Sequence, residues 1–181
     1  MTHIAPLRDF VQAFTRLVQA AGDDEARIFA EGRPLLARLI AHDDWLPAHF
    51  AAADPERYQQ YLLYCDPLER FSVVSFVWGP GQRTPVHDHT VWGMVGVLRG
   101  AELCEEFAWD AARGRLRAAG AHRVLPGDID LVSPRVGDVH RVANALADRV
   151  SVSIHVYGAN IGAVSRHVYD PDTGEQRAFV S

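Results

Sequence analysis

Residues 81–100 read GQRTPVHDHTVWGMVGVLRG, and the triplet His87-Asp88-His89 inside them decides how the rest of the chain is read. In a strand, residues i and i+2 point to the same face. His-x-His on a strand therefore presents two imidazoles side by side, about 7 Å apart along the chain. Both rings can then converge on one cation, with a third ligand supplied by a distant strand. Two solvent-facing histidines on a strand are also common, so the pair alone does not decide. Its frame does more. Gly81 precedes His87 by six positions, Gly93 follows His89 by four, and Gly100 follows Gly93 by seven. Downstream, Gly127, Pro134, Gly137, His140 and Asn144 form a second punctuated stretch that offers the third histidine.

Two regimes flank this centre, with the change near residue 57. Before it the pattern is helical: Phe10, Phe14, Leu17 and Val18 share one helical face, and Gly22 suits its end. Asp23 or Asp24 can cap a second helix with a stripe of Ile28, Phe29, Leu35, Leu36, Leu39 and Ile40, which Gly32-Arg33-Pro34 is expected to kink or split. A third, short helix is expected around 48–52. After residue 57 short strands alternate with turns. The expected strands are 60–64, 71–78, 84–89, 93–98, 101–109, 116–124, 130–132, 139–143, 150–157 and 165–169. Many short strands at close spacing predict a mainly β sandwich or barrel, and a jelly roll is one way to hide its edges. We expect one structural domain, with helices in 1–57 packed on a barrel formed by 58–181.

Composition excludes several classes of function. The 181-residue chain carries a formal net charge of −5 and no Lys/Arg block, which argues against nucleic acid or an anionic membrane as partner. Its longest apolar runs fall far short of the roughly 20 residues of a membrane span. The two cysteines, Cys65 and Cys104, form no CxxC and no disulfide framework. The first residues, MTHIAPLRDFVQAF, lack the charged-then-apolar pattern of a signal peptide. A reducing, cytoplasmic setting is expected.

The two punctuated stretches resemble the cupin motifs. The first motif is G-x5-H-x-H-x3-E-x6-G, here with Gly93 in place of the acidic residue. The second is G-x5-P-x-G-x2-H-x3-N, here with two one-residue insertions. The resemblance implies a double-stranded β-helix and a metal held by His87, His89 and His140. Glycine at 93 supplies no ligand, so the site is a neutral face of three imidazoles. That face leaves open positions for substrate and dioxygen together. The full charge of a divalent ion then favours an anionic thiolate. The three histidines by themselves do not choose iron over zinc, nickel, copper or manganese.

In Ser153-Ile154-His155-Val156-Tyr157, polar residues alternate with apolar ones, so one strand face carries hydroxyl, imidazole and phenol in a row. That face either lines the barrel interior as a hydrogen-bond relay or is simply wet. With HDHT at 87–90 and His140, this stretch resembles the thiol dioxygenases, whose type member is cysteine dioxygenase. The resemblance runs from about Tyr58 to Tyr169. It implies one ferrous iron per chain on the three histidines, Ser153, His155 and Tyr157 as an outer catalytic row, and a small thiol and dioxygen as partners. The implied reaction is oxidation of the thiol to a sulfinate. His122 matches nothing in the family and reads as a surface or core residue.

Two departures refine the expectation. Animal cysteine dioxygenases carry a cysteine at the position of Gly93 that forms a thioether with the active-site tyrosine, so Tyr157 is expected to be unmodified. They also carry an arginine in a Tyr-x-Arg stretch that grips the substrate carboxylate, and here the stretch reads Tyr58-Gln59-Gln60. Glutamine cannot form that charged fork. Arg166, nine residues after Tyr157, matches the arginine of the bacterial 3-mercaptopropionate branch, which the chain also resembles at 79–84, HDHTVWG and Gly158-Ala159-Asn160. Arg166 and Gln60 are therefore the expected substrate-binding residues and 3-mercaptopropionate the expected substrate. Cysteine or mercaptosuccinate oxidation, or a non-catalytic metal- or ligand-binding cupin sensor, are the alternatives.

Overall fold

The computed structural model describes residues 3–180. Two helices, α1 (Ala5–Ala21) and α2 (Glu25–Ile40), lead into eleven strands: β1 (Gln59–Cys65), β2 (Ser72–Trp78), β3 (Val86–His87), β4 (Gly93–Arg99), β5 (Glu102–Asp110), β6 (Arg115–Val124), β7 (Ile129–Val132), β8 (His140–Asn144), β9 (Ser151–Tyr157), β10 (Arg166–Tyr169) and β11 (Gln176–Phe179). A 3-10 turn at Ala48–Ala51 occupies the place of the expected third helix. The strands form two sheets, ordered β1-β2-β9-β4-β7 and β11-β10-β3-β8-β5-β6. Val74, Phe76 and Trp78 of the first sheet pack with Val142 of the second, so the sheets face each other as the expected jelly-roll barrel.

The middle strands of the first sheet are buried on both faces, which explains why β2 and β9 have no exposed residue. On β9 the even positions Val152, Ile154 and Val156 join Phe14, Leu36, Ile40 and Met94 in the core under the helices. The odd positions Ser153, His155 and Tyr157 face the barrel interior. Gly32 makes the close seating of α2 possible: a Cβ there would lie 2.9 Å from Phe14 and 3.0 Å from Met94. The helices thus close one face of the sheet that carries the polar row on its other face. No helix among the described residues is long and apolar enough to cross a membrane.

Three sequence expectations are corrected. Helix α2 runs unbroken through Pro34. Proline there is exposed, and the carbonyl it leaves without a helical donor, that of Ala30, belongs to an exposed residue that water can satisfy. Burial of Ile28, Phe29, Leu36, Leu39 and Ile40 holds the helix on either side. The strand expected at 84–89 shrinks to Val86–His87, because Pro85 cannot donate to a ladder and Thr90 turns the chain with φ 59°. A strand not foreseen, β11, pairs with β10 in register Arg166↔Phe179 to Tyr169↔Gln176. It is short and mostly exposed, so no apolar alternation announces it.

Candidate metal centre

His87 on β3 pairs directly with His140 on β8, and His89 follows where the strand has already ended. Both histidines of the His-x-His pair are therefore not displayed from one regular strand; the turn at Thr90 delivers the second. Nitrogen atoms of His87, His89 and His140 nonetheless lie within 4.8 Å of one another. Their ring centroids are 4.9 to 5.0 Å apart.

Hydrogen bonding selects which nitrogen is available on two of the rings. His89 Nδ1 lies 2.9 Å from Asp138 Oδ1, and His87 Nδ1 lies 3.1 Å from the Pro85 carbonyl. Each acceptor requires Nδ1–H, so Nε2 keeps its lone pair on both rings. On the third ring, Cys104 Sγ sits 3.5 Å from His140 Nδ1. Burial keeps all three rings neutral. It lowers His87 to about 4, against the opposing bond to Pro85, and holds His89 and His140 well below the ordinary histidine value. Three neutral imidazoles with nitrogens this close suit a divalent transition metal, and among the described residues no carboxylate joins the set.

Asp138 does more than orient one ring. Its carboxylate also accepts from the backbone N–H of His89 at 3.0 Å and of Thr90 at 2.9 Å. Those bonds hold the left-handed conformation at Thr90, which costs roughly 1–3 kcal/mol for a non-glycine residue and persists only where surroundings impose it. Asp88, between the two histidines, points elsewhere. It accepts from His167 N at 2.7 Å, His167 Nδ1 at 2.9 Å and the Tyr169 hydroxyl at 2.8 Å, which fastens β10 to the histidine loop. Asp88 and Asp138 were missed in the sequence, where a lone aspartate beside a histidine carries no signal of which ring it meets.

The row Ser153, His155, Tyr157 is dry: the residues are 0%, 3% and 1% exposed, so the polar face of β9 is interior and not wet. Ser153 Oγ lies 2.9 Å from His155 Nε2, and His155 Nδ1 lies 2.7 Å from the Tyr157 hydroxyl. Phe76 stacks on His155 at 4.0 Å, and Tyr157 stacks on His89 at 5.3 Å, so the row ends against the histidine cluster. Burial, the largest cause, raises the Tyr157 hydroxyl above its ordinary value, with Arg166 opposing. Gly93 is the register partner of Tyr157, and a Cβ at 93 would lie 2.9 Å from the Tyr157 ring edge.

Arg166 and Gln60 have different fates. Arg166 opens β10 and is 4% exposed, with its guanidinium 4.6 Å from the centre of the Phe179 ring. Its charge reaches Tyr157, Tyr58, His87 and His89, so the cation belongs to the same interior as the row and the cluster. Gln60 stands opposite Phe76 on edge strand β1 and is exposed, which puts it at the rim of the lumen-facing side. His122 is outside this centre. It is part of a second group with Cys104 and Asp130, and its Nε2 lies 2.8 Å from Asp130.

The comparisons with known proteins agree with this geometry. The family model described as cysteine dioxygenase type I matches residues 37–170, well over half of the chain. Human cysteine dioxygenase type 1 is 27% identical over 131 residues, covering 71% of this chain and 64% of that protein. The Bos taurus protein of the same name is 25% identical over 135 residues, 74% of this chain and 66% of that protein. The chain thus spans just under two thirds of the length of these relatives. Among solved structures, an uncharacterized conserved protein with a double-stranded β-helix domain from Klebsiella pneumoniae aligns with a TM-score of 0.50 at 15% identity, covering 74% of this chain and 87% of that one, a likeness of fold. With the fold, the three-histidine cluster and the polar row in place, the chain belongs to the cysteine dioxygenase type I family.

Proposed function

We propose that this chain is a thiol dioxygenase that holds one ferrous iron on His87, His89 and His140 and converts a small thiol carboxylate, 3-mercaptopropionate foremost, to its sulfinate. The observation that carries the reading is a neutral three-imidazole cluster flanked, inside one barrel, by the dry Ser153–His155–Tyr157 row and the buried cation Arg166. Iron, when bound, supplies the electronic path between a thiolate sulfur and dioxygen that neither partner has alone. The sulfur gives up four electrons and gains two oxygen atoms, so no external reductant is needed.

The side chains divide the remaining work. Arg166 binds the substrate carboxylate as a charged fork. Its burial and its place on β10, fastened to the metal loop through Asp88, fix the carboxylate relative to the histidines. Exposed Gln60 meets the substrate only at the rim. This arrangement favours a thiol with no amino group to place, hence 3-mercaptopropionate over cysteine. Tyr157 donates or accepts a hydrogen bond at the reacting oxygen, and His155 and Ser153 hold it there. Phe76, Trp78 and Tyr58, stacked on one another, keep that side of the row apolar. Both cysteines are free, which supports a reducing, cytoplasmic setting.

The test is anaerobic loading with ferrous iron, then oxygen uptake against 3-mercaptopropionate, cysteine, mercaptosuccinate and cysteamine, with the product weighed by mass spectrometry. The expected result is one dioxygen per thiol, sulfinate as product, and the highest kcat/KM for 3-mercaptopropionate. Bound iron without thiol-dependent oxygen uptake would refute the enzyme reading. Fastest turnover of cysteine would refute the substrate.

A further inference from the structure

Glu102 has no part in the reading above, yet it is 1% exposed and lies at the far end of the polar row from Tyr157. It opens β5, between register partners Asn144 and Val124. Ser151 and Ser153 hydrogen-bond to its carboxyl, with Ser151 Oγ 3.2 Å from Oε1, and the Trp78 indole N–H lies beside the same carboxyl and 3.3 Å from Ser153 Oγ, to which it donates. Continuing inward, Ser153 meets His155 at 2.9 Å, and His155 meets the Tyr157 hydroxyl at 2.7 Å. A buried carboxyl, a hydroxyl, an imidazole and a phenol thus form one unbroken line that ends beside His89.

We propose that Glu102 is a positioning residue that sets the direction of this hydrogen-bond line, and thereby decides whether Tyr157 turns its proton toward His155 or toward the metal side. The structural part stands on the line itself; the consequence for catalysis rests on the dioxygenase reading.

Ser153 has one hydroxyl hydrogen, and neutral His155 has one ring hydrogen. A Glu102 carboxylate only accepts, so Ser153 donates to it. His155 Nε2–H then donates to Ser153, and bare Nδ1 accepts from the Tyr157 hydroxyl. A Glu102 carboxylic acid reverses every bond. It donates to Ser153, Ser153 donates to His155 Nε2, and Nδ1–H donates to the Tyr157 oxygen. The Tyr157 hydrogen is then released toward the lumen. Passage between the two states conserves protons: one taken up at the Tyr157 oxygen is matched by one arriving at Glu102, and the return delivers one at Tyr157.

Both states lie within reach near neutrality. Burial raises the Glu102 carboxyl to about 7, against the hydrogen bonds from Ser153, Ser151 and Trp78. The other ionisable groups that act on or feel it are Asp130 from β7, Cys104 on its own strand and Tyr157 on β9. Its register partners, Val124 and Asn144, carry no charge. His155 stays neutral because burial holds it well below the ordinary histidine value.

The experiment uses the full chain with 15N-labelled histidine, loaded with zinc as a diamagnetic ion. Two-bond proton–nitrogen correlation spectra report which ring nitrogen of His155 is protonated, the resonance being assigned by its loss in His155→Gln. The expected result is Nε2–H above about pH 8 and Nδ1–H below about pH 6, as the Glu102 carboxyl titrates. Glu102→Gln, which cannot titrate, should hold a single tautomer across the range. Ser153→Ala, which cuts the line, should leave the tautomer indifferent to pH. A wild-type tautomer that does not change with pH, or one that still switches in Glu102→Gln, would overturn the proposal. Since no thiol or oxygen enters this measurement, absent turnover would sink the functional reading alone. In turn, a fixed tautomer in an active enzyme would sink this inference alone.

Discussion

Replacing Glu102 by glutamine should stabilise the protein, and by an amount that grows with pH. The carboxyl is fully buried and its folded value is raised from 4.5 to about 7, with burial the largest cause. A raised acid means that the folded state holds its proton more tightly than the unfolded one. Stability from the neutral form is complete below the unfolded value, is lost as pH rises from 4.5 to about 7, and is level beyond. Each unit is worth 1.36 kcal/mol, so the full penalty is about 3 kcal/mol. Glutamine never ionises and escapes it. Its own cost in imperfect hydrogen bonds does not depend on pH and appears as a constant offset. Urea unfolding of both proteins, followed by tryptophan fluorescence in chelator, measures the difference. It should rise from about 1 kcal/mol at pH 5 to about 3 kcal/mol at pH 8. A difference that stays level across this range, whatever its size, would show that Glu102 is not a raised buried acid, and the reasoning from its burial would fail.

Alanine in place of His87, His89 or His140 should remove most of the iron, read by elemental analysis, while far-UV circular dichroism is retained; normal iron content in all three variants would refute the ligand assignment. Asp138→Asn should weaken iron binding by about 10–100-fold in a chelator competition, since the His89 ring and the Thr90 turn lose their anchor. Intact mass should equal the sequence mass apart from routine processing, with no two-hydrogen deficit on Tyr157, because Gly93 offers no sulfur. Tyr157→Phe should slow turnover with iron content unchanged. Arg166→Gln should lower kcat/KM for carboxylated thiols by roughly 30-fold or more, about 2–5 kcal/mol for a buried charge pair. Cysteamine, with no carboxylate, should be spared, and equal losses for both would assign Arg166 to the fold.

Much of this molecule was legible because its chemistry depends on spacing. Alternation on 151–157 separates an apolar face from a polar one, and the glycine-framed histidines 87, 89 and 140 do converge, with nitrogen atoms within 4.8 Å of one another. The helical stripe of Phe10, Phe14, Leu17 and Val18 reappears as the buried face of α1. Where backbone chemistry competes with pattern, reading is less secure. Pro34 reads as a break, but a helix held by tertiary burial tolerates one missing hydrogen bond on its wet side. The strand through His89 reads as continuous, but Pro85 and the Asp138-capped turn at Thr90 end it early.

The sequence alone determined which residue types are available: three neutral donors, a row of hydroxyl, imidazole and phenol, and glycine at position 93. Only the tertiary structure decided which side of β9 is dry, since alternation is the same whether its polar face meets water or a second sheet. It also chose among the acids of β5. Glu102, Glu105 and Glu106 are equivalent by composition, yet Glu105 pairs with Arg141 at 2.7 Å while Glu102 is enclosed at the end of the row. The physical reason is that a side chain's charge state and partner are set by desolvation and by neighbours from distant strands. Those neighbours come together only when the barrel closes.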